Sequence, residues 1–326
     1  MSCDPKPGKP EERDLSALQL SRDYFHSVAE PKLKLDFPEV YRRLAAGLAG
    51  NGSECFGYDD EISRDHDWGV DFFIWTLESD RNHIPELREW KNELLENDPP
   101  EYARTRSEYG AQIDVLTCGD YYSGLIGARG CPGTLREWLR APEEQLAMAV
   151  NGQVFVDNPG EFTGIRNDLL DYYPEDIRRK RIAAKCLALA QTGQYNHGRI
   201  AKRGDIVTVN TVLSRFTDSA IAMVFLLNRV YRMYYKWVFR ALADLPLLGA
   251  ETTRYLLMLA EINGIGAEAV SLRQQYIEEL CALFASELKA QGLSDSEDSF
   301  LARHGEAVHS TIKDEFLRSL PPQYEI

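Results

Sequence analysis

The sequence predicts an α+β protein in which a small mixed β-sheet head is followed by an all-helical C-terminal domain. Three observations predict it. Short apolar and aromatic runs of strand character occur only before about residue 158. Beyond Pro159 the strand signals stop and long runs of helical periodicity take over. The 326-residue length suits two domains, and 44% hydrophobic with 27% charged residues is ordinary for a globular chain. The expected organisation is a disordered lead-in over 1–14, a head over 15–158 and a helical domain over 159–326.

The elements follow in order. Residues 1–14 are rich in Pro, Lys and Glu and lack the apolar centre of a secretory signal. An amphipathic helix is expected over Ser16–Ala29. Pro38 suits the first turn of a second helix, Glu39–Ala45. Gly47, Gly50 and Gly52 are too close for a helix, since each costs about 1 kcal/mol there. A short strand from about Ala46, ending in a tight turn at Gly52-Ser53, is expected instead. Val70–Trp75 is bulky and aromatic and reads as a strand. Helices are expected over Ile84–Asn97 and near Tyr102–Glu108, a strand over Ala111–Thr117, helices over Thr134–Leu139 and Glu143–Val150, and a last strand over Gln153–Asp157. Helical stretches then run over Pro174–Gly193, Asp205 to about Leu242, Thr252–Leu259, Ala267–Ala290 and Glu306–Leu320.

Charge and cysteine usage exclude several functions. The chain has 37 basic and 51 acidic residues, a net charge of −14. Phosphate backbones and anionic membranes need a cationic footprint, so a general nucleic-acid coat is disfavoured, though a local basic pocket for one nucleotide is not. The longest apolar run, Ala220–Leu227, is far short of a membrane span. Six cysteines show no CxxC spacing, which excludes paired zinc knuckles and suits reduced thiols in a cytoplasmic protein. The histidines form no HExxH pair, and GxSxG, GxxxxGK[ST] and GxGxxG are absent.

Chemistry is concentrated between Gly52 and Ile74. Gly52-Ser53 is followed, after eleven residues, by Asp65-His66-Asp67 and then by a strand. At a strand start, residues two apart point the same way, so Asp65 and Asp67 would present two carboxylates side by side. Two hard oxygen donors suit Mg²⁺ bound together with substrate phosphates, and the cation relieves their mutual repulsion. His66 would face the other side. Asp114, inside an apolar strand, is a candidate third carboxylate, with Asp71 and Asp157 as alternatives. A Gly-Ser turn leaves backbone N–H groups where a phosphate can approach. Trp68-Gly69 separates Asp67 from the apolar strand, and Gly69 would permit the kink this needs.

This arrangement resembles the nucleotidyltransferase superfamily of polymerase β type. That superfamily carries Gly-Ser after a strand, then Asp-x-Asp, then a third acidic residue on a later strand. The segments Gln194–Asp205, Phe225–Arg232 and Tyr235–Trp237 resemble a bacterial family labelled domain of unknown function 4037, in which a nucleotidyltransferase-like head carries a helical domain. More distantly, the layout is similar to aminoglycoside nucleotidyltransferases of the kanamycin and streptomycin types. The resemblance implies Mg²⁺-dependent transfer of a nucleoside monophosphate from an NTP such as ATP to a hydroxyl. It implies Asp65, Asp67 and Asp114 as metal ligands, Asp114 also as base on the acceptor hydroxyl, and Gly52 and Ser53 as holders of the outer phosphates. The acceptor class stays open between a small molecule and a protein side chain, with a tRNA end disfavoured by the acidic surface.

In the helical half, Arg229, Arg232, Lys236 and Arg240 would form a basic stripe on one long helix, with Arg199, Lys202 and Arg203 as a second group. Lys236 and Arg203 are the candidates for clamping a triphosphate. Tyr195, Tyr231 and Tyr235 are candidates for stacking on a base or sugar, against a core or interface role, and the aromatic-rich helical domain is a candidate for forming a homodimer. The rival readings are a nucleotide-binding or interaction protein without turnover and a nucleotide cyclase.

Overall fold

The computed structural model describes residues 16–65, 67–97, 104 and 113–326, and of Asp65 the backbone alone. The expected lead-in over 1–14, His66, the strand start at Ala111-Gln112 and most of the Tyr102–Glu108 helix fall outside them. The described residues group into two compact units. One comprises those up to Gly130 together with Met148–Asn167, the other Cys131–Ala147 together with Asp168–Ile326.

The first unit is built on a mixed four-stranded sheet: β1 (Leu44–Leu48), β2 (Phe73–Thr76), β3 (Val115–Thr117) and β4 (Gln153–Asp157), in the order β3-β2-β1-β4. β1 is antiparallel to β2 and β4, and β3 is parallel to β2. Strand β4 has the expected bounds. β1 starts two residues earlier than expected, which shortens the preceding helix to Pro38–Tyr41. The reason is burial with period two: Leu44 and Ala46 both enter the cluster formed with Phe25, Leu33, Ile74, Leu87 and Val115. On the other face Trp75 stacks on Phe162 with ring centroids 3.7 Å apart, and Phe73 meets Tyr121 edge-on. Gly47 is required by closeness: a Cβ there would lie 2.4 Å from the Gln153 carbonyl oxygen and 3.0 Å from the Trp75 ring.

β2 begins three residues later than Val70, and the cause is local. The Asp71 N–H donates to Ser21 Oγ at 3.3 Å, and the Phe72 N–H donates to Asp71's own Oδ1 at 2.8 Å. Side chains thus satisfy the donors that a longer ladder would have used. Asp71 is itself buried and paired with buried Lys91 at 2.7 Å, and Lys91 also donates to the Ile113 carbonyl at 2.9 Å. At the N-terminus Ser16 caps Ala17–Tyr24, which runs through a π turn at Phe25–Ala29 into Glu30–Asp36.

The second unit is helical. Its main elements are Glu175–Leu189, a π turn at Ala190–His197, Ile206–Asn228, Tyr235–Ala243, Gly249–Glu261, Ala267–Ala290 and Leu301–Ser310. The expected single helix from Asp205 to Leu242 is two helices. Arg229 takes a left-handed conformation (φ 55°) and ends the first. Asn228 fixes that end: its Nδ2 donates to the Val224 and Leu247 carbonyls at 2.8 and 2.9 Å, and its Oδ1 accepts the Leu247 N–H at 2.9 Å. The basic stripe expected along one helix is therefore broken. Arg229 pairs with Glu175 and Arg232 with Asp218, while Lys236 lies beside the Trp237 ring. Among the described residues no helix is long and apolar enough to cross a membrane.

Two stability predictions follow from these contacts. Lys91→Met removes a buried positive charge from beside Asp71 and should cost about 3–5 kcal/mol in urea unfolding; a loss below about 1 kcal/mol would show that the pair is not isolated from water. Asn228→Ala removes three hydrogen bonds at the helix break and should cost about 1–3 kcal/mol, and an unchanged midpoint would mean that the break is set elsewhere.

Candidate functional site

Strand directions bring the sequence-predicted head residues to one end of the sheet. Because β1 and β2 are antiparallel, the chain leaves β1 toward Gly50–Ser53 where it enters β2 from Asp67–Phe72. β3 runs parallel to β2, so Asp114 enters at the same end. β4 starts there too: Asn151 exchanges two hydrogen bonds with the Gly50 backbone, at 2.8 and 2.7 Å, and the Gly152 N–H donates to the Cys55 carbonyl at 2.8 Å. Asp157 lies at the opposite end, where its carboxylate accepts the Gly160 and Thr163 N–H groups at the start of the helix Glu161–Leu170.

The Gly-Ser turn opens a 3-10 turn, Glu54–Phe56, with the Cys55 N–H donating to the Gly52 carbonyl and the Tyr58 N–H to the Ser53 carbonyl. The Ser53 hydroxyl does not cap this turn. Glu54 folds back over Gly52, where a Cβ would lie 2.2–2.3 Å from its carboxylate atoms. Glu54 is buried and ion-paired with Arg104 at 2.8 Å. The same guanidinium donates to the Gly69 carbonyl at 3.3 Å. One arginine thus ties the Gly-Ser turn to the loop that carries Asp67.

That loop differs from the expected strand start. Asp60 Oδ1 accepts the Ile62 and Ser63 N–H groups and starts a 3-10 turn that ends at Asp65. Asp67 is left-handed (φ 54°) and Gly69 has φ 130°, so the kink allowed at Gly69 is present and extends over both residues. The period-two geometry expected for Asp65 and Asp67 does not apply, because β2 begins six residues after Asp67. A left-handed aspartate is tolerated better than most residues, but it still stores strain that the surrounding loop must hold.

Asp114 Oδ1 accepts from Arg88 Nε at 2.6 Å and from the Val115 N–H at 2.7 Å, and Arg88 also donates to the Val115 carbonyl at 3.0 Å. Its charge is therefore already balanced by a guanidinium. Asp71 is balanced by Lys91. Among the described residues no group of three or more His, Cys, Asp or Glu side chains is placed to hold a metal ion, and the Asp65 side chain is not among them. The hard oxygen donors of Asp65 and Asp67 have the right chemistry for Mg²⁺. Asp114 joins them only if Arg88 releases it.

Arg203 and Lys236 belong to the second unit, on separate elements. Arg203 follows the short helix Gly198–Ala201 and Lys236 lies in Tyr235–Ala243; both are exposed. Sequence reasoning missed three residues around the Gly-Ser turn. Glu54 was signalled only by following Gly52-Ser53 directly. Arg104 carries no spacing signal. Arg166 is half-buried and donates from Nη2 to the Gly152 carbonyl at 3.2 Å; burial presses its pKa down, and the neighbours that oppose this are Tyr122, Tyr121 and Cys55, none of them a carboxylate. It brings a positive charge to the Gly-Ser end of the sheet.

No curated protein sequence matches the chain. Among solved structures, a nucleotidyltransferase-like protein from Exiguobacterium sibiricum 255-15 is similar with a TM-score of 0.37 and 12% sequence identity, over 89% of this chain and 88% of that one. Residues 138–238, which include Arg203 and Lys236 and lie downstream of the Gly52–Asp67 segment, match the model of a family described as a domain of unknown function, DUF4037.

Proposed function

We propose that the first unit is the head of a Mg²⁺-dependent nucleotidyltransferase that moves a nucleoside monophosphate from an NTP to a hydroxyl of a small molecule or protein. The observation that carries this reading is the Arg104 tie: Glu54, beside Gly52-Ser53, and Gly69, two residues past Asp67, share one guanidinium. It ties the Gly-Ser turn to the loop that carries Asp67, at the sheet end where Asp114 also enters.

In this reading Gly52 and Ser53 present backbone N–H groups and a hydroxyl to the β- and γ-phosphates. Asp65 and Asp67 would hold Mg²⁺, which would supply charge stabilisation for the phosphoryl transfer. Asp67, fixed left-handed, presents its carboxylate from a loop that Arg104 keeps from drifting. The acceptor hydroxyl oxygen attacks the α-phosphorus, the bond from that phosphorus to the bridging oxygen breaks, and pyrophosphate leaves. Asp114 takes the hydroxyl proton once Arg88 has swung from it.

A second reading is favoured by one observation. The Arg88–Asp114 pair withholds the third carboxylate, as expected of a head that binds nucleotide without turning it over. The two readings separate experimentally. NTP binding measured in Mg²⁺ should fall at least about tenfold in Asp67→Asn, the loss of one charge-assisted contact; unchanged affinity would remove Asp67 from the site. Asp114→Asn should abolish pyrophosphate release while sparing NTP binding. Full turnover in that variant would hand the proton to another group, and binding with no release in the wild type under any acceptor would establish the second reading.

A further inference from the structure

We infer that the second unit contains a binding site for hydrogen phosphate, closed on one side by the chain segment around Glu325. The cavity holds about 100 Å³ and is lined by Glu143, Arg181, Lys185, Leu226, Arg232 and Glu325, among others. That volume is below the roughly 300 Å³ at which pockets for drug-sized ligands begin, so it suits a small ion and not a nucleotide.

Three cationic side chains converge on it, two from one helix and one from the break between two others. Arg181 and Lys185, one turn apart on Glu175–Leu189, each have side chains 14% exposed. Arg232 follows the break after Asn228. Each of the three cations has an acidic partner. Arg181 reaches Glu143 at 3.4 Å, longer than a strong ion-pair hydrogen bond, Arg232 pairs with Asp218 at 2.7 Å, and Lys185 holds Glu325 at 2.7 Å. Arg181 is stacked over the Tyr173 ring at 4.6 Å, which fixes the plane of its guanidinium. Its Nε is buried and has no hydrogen-bond acceptor among the described residues.

Glu325 shows what kind of group the site accepts. Its carboxylate is an oxyanion delivered by the chain itself, and it sits on Lys185. Residues before it are held independently, since Lys180 donates to the Pro321 and Pro322 carbonyls at 2.6 and 3.2 Å. Glu325 can therefore leave Lys185 without releasing the segment. An incoming anion displaces Glu325 from Lys185 and shares Arg181 with Glu143.

Glu143 supplies the selectivity. Its carboxylate accepts from Arg181 Nη1 and from the Arg232 N–H, at 3.4 and 3.3 Å, and keeps lone pairs toward the cavity. An acceptor in an anion site repels any oxyanion that has no proton to donate. Hydrogen phosphate has a proton to place on Glu143 while its other oxygens face Arg181 and Lys185. Sulfate at neutral pH has none.

The test is calorimetric titration of the full chain with sodium phosphate and with sodium sulfate, at pH 7 and constant ionic strength. Phosphate should bind saturably at one site, and sulfate about tenfold more weakly or worse, the worth of one charged hydrogen bond. Glu143→Gln should erase the difference between the two ions, because an amide can donate to sulfate. Glu325→Gln should tighten phosphate binding severalfold by removing the competitor, and Lys185→Met should weaken it about tenfold. Circular dichroism establishes that each variant is folded; if Glu143→Gln is not, the Glu325 and Lys185 variants carry the test. Absence of saturable phosphate binding, equal binding of the two ions by the wild type, or phosphate binding indifferent to Lys185→Met would each overturn the assignment.

Discussion

Strand β1 is buried at all five positions and bonded along both edges, to β2 and to β4. A strand so enclosed has no freedom of register, because a shift by one residue would exchange its two faces. Leu44 and Ala46 are committed to the cluster with Phe25 and Leu33, and Gly47 to the space under Trp75 and Gln153. The ends of β1 are therefore fixed points. The Gly-Ser turn begins four residues past its end, between Gly50, which Asn151 bonds, and Cys55, whose carbonyl accepts the Gly152 N–H, and the loop bearing Asp67 returns into β2. The candidate site depends on that one immobile strand more than on any contact made by its own residues.

The second constraint is charge. The chain carries 51 acidic residues against 37 basic ones, and carboxylates crowd the Gly-Ser end of the sheet. Three of them are matched individually: Glu54 with Arg104, Asp71 with Lys91 and Asp114 with Arg88. Two of these pairs are buried, where losing one partner is far costlier than at the surface. They act as fasteners. Each joins segments distant in sequence, so the loop around Asp67 is held by charge pairing while β2 supplies the ladder.

Much of this was legible in the sequence and part of it was not. β4, the helix Glu143–Val150 and the helix Ala267–Ala290 have the bounds that periodicity and turn residues indicate. The α+β class was legible because strand and helix signals separate along the chain, and the segments Gln194–Asp205, Phe225–Arg232 and Tyr235–Trp237 that carried the resemblance lie within the family match over 138–238. The break at Arg229 was not legible, since the left-handed residue is neither Gly nor Asn and its cause is Asn228 reaching Leu247. The late start of β2 was hidden for a similar reason: Asp71 satisfies a backbone donor with its own carboxylate. Within the site, Gly52, Ser53 and the aspartates were marked by spacing. Arg104, Arg88 and Arg166 were not, because a lone arginine acquires meaning only from the partner that folding brings to it.

The central claim is that the Gly-Ser turn and the Asp65–Asp67 loop form one metal-nucleotide site. Crystals of the chain grown with Mn²⁺ and a non-hydrolysable NTP analogue test it most directly, since anomalous scattering locates the ion. The account predicts the metal within about 2.0–2.4 Å of Asp65 and Asp67 oxygens and the triphosphate against the backbone of Gly52 and Ser53. A metal and nucleotide bound away from this end of the sheet, or triphosphate at the Gly-Ser turn with both aspartates turned from the ion, would contradict it.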